Sequence, residues 1–220
     1  HVHASLEDAC HMLAPGGDAP ARPGAVLVGH SLGGVVARLL CVESGDALWN
    51  AAFLVPPQSL DASIEDREVV KRAFSFHPYP GIARAVFLAA PHGGSPSAAT
   101  VLGRLTRALV GRRAPEVHAL RRIAKSNPNA IRPEMRRVFQ QGWINSIATL
   151  QSEQPVRRAT ESLLPNGIPY HTIAGVQPGR RQQSDGFVPL DSALIPGAES
   201  SLVVESGHSL HENPHAIAEV

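Results

Sequence analysis

The chain has 220 residues, enough for one well-formed core that needs neither disulfides nor a metal to hold it together. Apolar residues make up 43% and charged residues 18%, an ordinary globular composition that excludes disorder and fibre, and no run approaches the roughly 18 apolar residues of a membrane-spanning helix. A formal net charge of +1 sets up no global field toward nucleic acid, which is therefore not an expected partner.

The first expected element is a helix over residues 4–14, stopped by the loop Pro15-Gly-Gly-Asp-Ala-Pro20. Ala25-Val-Leu-Val28, bounded by Gly24 and Gly29, is a continuous apolar run and predicts a strand buried on both faces of a parallel sheet. From Gly34 to Ser44, apolar residues at Val35, Val36, Leu39, Leu40 and Val42 fall at helical spacing, with Gly45 as the stop. Three more strands are expected: Ala85–Ala90, Tyr170–Ala174 and Ser201–Val204. A short helix capped by Asn213, with Pro214 at its first position, closes the chain. Strands separated by helical stretches argue for a parallel sheet covered on both faces. The linear sequence shows no second core and no internal repeat. Cys10 and Cys41 are too few for a disulfide framework, and the expectation is two buried free thiols.

Two stretches are too long to be simple crossovers. Residues 46–83 hold one helix candidate, Ile64–Phe74, with Ser63 placed to cap Asp66. Residues 97–165 hold four, near 98–110, 115–125, 133–141 and 156–164, separated by Gly and Pro. Insertions of this size are expected to form a helical cap on a single domain spanning 1–220. The longer one carries twelve Arg or Lys against four Glu, a local charge of +8. That charge fits solvated helix faces, or else transient contact with an anionic substrate or membrane surface.

The chemistry is carried by Gly29-His30-Ser31-Leu32-Gly33, a G-x-S-x-G pattern between a buried strand and an amphipathic helix. A serine hydroxyl is a weak nucleophile until a base takes its proton, and a sharp strand-to-helix turn presents it clear of its neighbours. Gly29 and Gly33 are expected to make room for that turn, and the Leu32 N–H, at a helix N-terminus, is the candidate oxyanion donor. The alternative, a glycine turn that binds phosphate, lacks the P-loop lysine and the dinucleotide spacing.

An acid and a base should follow the serine in that order. For the acid, Asp185 lies in a loop after the third strand with Gly186 behind it, and Asp191 is the rival. For the base, His208 falls just past the last strand, with His211 and, more remotely, His215 nearby. A metal site on those three histidines lacks the usual companion ligands. His92 and Ser95, at the end of the second strand, are expected to serve structure: a loop hydrogen bond and a helix cap.

Together these residues resemble an α/β-hydrolase-fold serine hydrolase of the bacterial lipase and esterase kind, over about Val26–Val220. Gly29-His-Ser-Leu-Gly-Gly34, Ala90-Pro-His-Gly-Gly-Ser95, Ser184-Asp-Gly-Phe-Val-Pro189 and Gly207-His-Ser-Leu-His-Glu-Asn-Pro214 are similar to segments of such enzymes, in the same order. In such tails the catalytic histidine stands six residues before the proline, which favours His208. The resemblance implies a partial α/β-hydrolase fold: a mainly parallel sheet, helices on both faces and a helical cap. It also implies a Ser31–His208–Asp185 triad that cleaves a small-molecule or lipid ester with no metal or organic cofactor, the alternatives being an acyltransferase on the same triad or a non-catalytic relative that keeps the fold for binding. An apolar stripe at Leu102, Leu105 and Leu109 is expected to be core packing or a lipid-facing surface. Only 30 residues precede Ser31, fewer than the strands and second oxyanion loop that such proteins place there. The expectation is an excerpt of a longer protein or an abbreviated fold.

Overall fold

A computed structural model describes residues 6–8, 24–95, 115–141, 154–179 and 182–220. The chain forms two compact units, His1–Glu43 with His77–His92 and Leu164–Val220, and Ser44–Phe76 with Gly93–Leu163. In chain order the elements are β1 (Ala25–His30), α1 (Leu32–Leu39), α2 (Ala47–Ala52), α3 (Ile64–Phe74), β2 (Ile82–Leu88), α4 (Pro115–Ser126) and α5 (Pro133–Gln141). They continue with α6 (Pro155–Glu161), β3 (Tyr170–Val176), α7 (Leu190–Ala193), β4 (Ser200–Glu205) and α8 (Pro214–Glu219).

The first unit is built on a four-stranded sheet in the order β1-β2-β3-β4, with every neighbouring pair parallel. The four strands fall where the apolar runs of the sequence place them, and the two central ones, β2 and β3, are largely buried. One face packs Ala85, Phe87 and Tyr170 against Ala37, Leu40 and Cys41 at the end of α1. The other packs Val86, Leu88, Ile173 and Val204 against Leu210 and the α8 residue Ala216. Helices therefore lie on both faces, as expected. Asn213 caps α8 by accepting from the His215 and Ala216 N–H groups at 3.0 and 3.2 Å.

Three expectations shift. β1 is not buried on both faces: Leu27 packs toward the core, but Val26 and Val28 are about half exposed. Among the described residues β1 ends the sheet, and its period of two sends those valines to the less covered side. β2 starts earlier than 85 and stops at Leu88, because Ala89 turns to φ 46°. The helix expected to reach Ser44 ends at Leu39, where its last turn tightens and the Cys41 N–H donates to the Arg38 carbonyl. Cys41 itself is fully buried, and burial pushes its thiol up to about 11. Cys10, the helix over 98–110 with its leucine stripe, and most of the helix over 4–14 lie outside the described residues.

The second unit has a core of its own, which the linear sequence does not announce. Leu48, Trp49, Phe53, Val70, Phe74, Leu120, Ile123, Ile131, Met135 and Phe139 form one buried cluster. Trp49 stacks on Phe53 at 4.2 Å, and Phe53 also meets Phe74 and Phe139 at 5.6 and 5.7 Å between ring centroids. The α3 cap is the one its sequence predicts: Ser63 accepts from the Asp66 N–H at 3.1 Å. Asp66 then takes a bidentate pair from Arg122 on α4, at 2.8 and 2.5 Å. The six-residue α2 goes unread in the sequence, because its start carries no side-chain cap and six residues give little periodicity. Among the described residues no helix is long and apolar enough to cross a membrane.

Candidate active site

β1 runs into α1 through a corner at Ser31, whose backbone adopts φ 54° and ψ −126°. A non-glycine residue at positive φ is strained, and such strain collects at functional sites. The corner is pinned on both sides. The Ser31 N–H donates to the Leu88 carbonyl at 2.8 Å, and the Ser31 carbonyl accepts from the Gly34 N–H at 3.0 Å. The positions that leave no room for a side chain are Gly29 and Gly34, not Gly29 and Gly33. A Cβ at Gly29 would sit 2.5 Å from the Gly34 Cα, and a Cβ at Gly34 would sit 2.5 Å from the Ala90 Cβ, whereas Gly33 faces open space. The helix turns its second glycine toward the strand, a matter of angular position that the motif alone does not give. Leu32 opens α1, so its N–H has no partner within the helix and lies one residue past the serine oxygen.

From the far end of the chain, β4 leads into the loop that holds His208. The His208 Nε2 is 2.9 Å from the Ser31 Oγ, and its Nδ1 is 2.7 Å from the Asp185 Oδ2. Asp185 is 1% exposed. Its other oxygen accepts the Phe187 and Val188 N–H groups at 2.8 and 2.7 Å, a turn closed by Gly186 at φ 103°. Burial pushes the Asp185 carboxyl up, but the hydrogen bonds from His208, Val188 and Phe187 outweigh it and leave the group below its ordinary value. The carboxylate therefore accepts from Nδ1–H, which fixes the tautomer and leaves Nε2 free to accept the serine proton. Gly175, at the end of β3, lets these loops close: a Cβ there would lie 3.0 Å from both the Asp185 Cβ and the Ser206 carbonyl oxygen.

The structure thus brings together Ser31, Asp185 and His208, while their rivals are exposed. Asp191 is exposed in the first turn of α7. His211 is exposed beside Glu212, and His215 is exposed on α8. Among the described residues no group of three or more His, Cys, Asp or Glu is placed to hold a metal ion. His92 is buried edge-on against Phe87 at 4.9 Å. The helix that Ser95 was expected to cap begins outside the described residues. His30, to which the sequence pattern alone assigns no role, has its ring 5.0 Å from that of His208. Its place beside the serine in the motif was the available signal.

A parallel sheet that delivers a serine at a strand-to-helix corner, with acid and histidine on loops after later strands, defines a class of fold. The chain belongs to the alpha/beta hydrolase family, whose match extends over residues 1–220. Among solved structures it is similar to the Bacillus licheniformis lipase BlEst2 in its mature form, with 18% identity and a TM-score of 0.42, over 94% of this chain and 64% of that one. The propeptide form of the same lipase is similar at 15% identity and a TM-score of 0.38, over 94% of this chain and 35% of that one. The chain therefore spans less than two thirds of the length of either. No curated protein matches it.

Proposed function

We propose that the protein is a serine hydrolase that cleaves carboxylic esters, of small molecules or lipids, through an acyl-enzyme. The observation that carries this reading is one imidazole within hydrogen-bond reach of both the Ser31 hydroxyl and a buried carboxylate. Ser31 Oγ attacks the acyl carbonyl as His208 Nε2 takes its proton. Asp185 holds the ring and stabilises the imidazolium, and the Leu32 N–H donates to the oxyanion. His208 then returns the proton to the leaving alcohol, and the same ring activates a water that releases the acid. We further propose that the segments inserted around β2 form the cap of one hydrolase domain, since both leave and rejoin the chain between strands of the sheet.

The test is covalent. A fluorophosphonate probe should label Ser31, and Ser31→Ala should abolish labelling and lower ester turnover by about 10⁶. Labelling that persists in the variant, or turnover within tenfold of wild type, sinks the reading. Release of free acid, measured against transfer to an added alcohol, separates hydrolysis from acyl transfer on the same triad.

A further inference from the structure

We propose that His30 is a positioning residue for the base, a clamp that fixes the backbone of His208 to the strand that carries the nucleophile. The inference rests on the triad reading above.

The His30 Nε2 is 2.8 Å from the His208 carbonyl oxygen, across 178 positions of sequence. A carbonyl only accepts, so Nε2 carries the proton and donates. The same carbonyl also accepts the Leu210 N–H at 2.9 Å. His208 is thus held at its carbonyl by two donors and at its ring by Asp185 and Ser31. The Leu210 bond is local to the loop and moves with it. The His30 bond is different in kind, because His30 is covalently next to Ser31. It ties the base to the nucleophile's own strand and so sets their separation directly.

The packing agrees. The half-buried His30 ring meets two others, His208 at 5.0 Å and His211, edge-on, at 4.8 Å between centroids. Burial, together with those two neighbours, holds its pKa below the ordinary histidine value despite the bond to the His208 carbonyl. A neutral ring at this place adds no charge beside the imidazolium that His208 becomes as the serine attacks. A displaced base is costly, since an error of about 1 Å in a reacting group can lower a rate about 10²-fold.

The experiment compares His30→Phe, which keeps an aromatic ring without a donor, with His30→Gln, which puts an amide N–H at about the same reach. In the full chain, His30→Phe should lower kcat on a chromogenic ester about 10²-fold with KM unchanged, and slow fluorophosphonate labelling in step. His30→Gln should recover most of both. A purely structural role predicts activities that follow Tm in both variants, and activity of His30→Phe within threefold of wild type would overturn the clamp. A measurement that needs no variant stands beside these: nitrogen NMR of the wild type should show His30 as the neutral Nε2–H tautomer, and an Nδ1–H tautomer overturns the assignment. Wild-type protein that takes no label defeats the triad reading, and this inference with it, whereas failure confined to the His30 comparison defeats the clamp alone.

Discussion

At Ser31 the chain holds a side-chain-bearing residue in a conformation suited to glycine, and two backbone hydrogen bonds keep it there. Residues in such regions cost of order 1–3 kcal/mol each. Ser31→Gly should therefore be more stable than Ser31→Ala by about 1 kcal/mol, read by chemical denaturation, with both variants unlabelled; equal stabilities would show the corner to be unstrained. Asp185 stores a second quantity at this scale. Its folded-state pKa lies below the ordinary value of 3.8, so the group adds stability above that pH and loses it as pH falls through the depressed value. Asp185→Asn should flatten the acid limb of Tm against pH and lower kcat by about 10⁴. An unchanged acid limb would mean that the carboxylate's hydrogen bonds do not favour its charged form.

Among elements, the contact of β1 with α1 decides where the corner sits. It depends on two glycines that face each other and is indifferent to a third. Gly34→Ala drives a methyl into Ala90 and the Gly29 carbonyl and should cost about 1–3 kcal/mol, the usual range for overpacking. Gly33→Ala, in helix and open space, should gain about 0.5–1 kcal/mol from reduced unfolded-state entropy. Urea midpoints of the pair check both signs, and matching shifts would refute the assignment of faces. The acid loop obeys the same logic, since a backbone without a Cβ at Gly175 lets Asp185 reach the histidine loop.

At the scale of the whole molecule, parallel topology does the assembling. Every strand of the sheet points the same way, so the loops bearing residues 31, 185 and 208 all leave from carboxyl ends on one side. The helical unit stands on its own aromatic cluster, with Phe53 touching Trp49, Phe74 and Phe139. Phe53→Ala should cost that unit about 3–5 kcal/mol, seen as faster amide exchange in α2, α3 and α5. Unchanged exchange there would show that this ring is not central to its core.

The sequence by itself determined the local facts. Its apolar runs marked the four strands, Ser63 and Asn213 marked two helix starts, and the glycine-flanked serine marked a candidate nucleophile, with Asp185 and His208 as the favoured candidates for acid and base. Such signals are written within a few neighbouring residues, where chain stereochemistry reads them directly. Only the tertiary structure decided what depends on distant residues meeting. It set Gly34 rather than Gly33 against the strand, brought the His208 ring within hydrogen-bond reach of Ser31 and Asp185, exposed Val26 and Val28, gathered a second core from scattered helices, and laid His30 against His208. A side chain's partner across 178 positions is set by the packing of a sheet and its loops, which no short window of sequence contains.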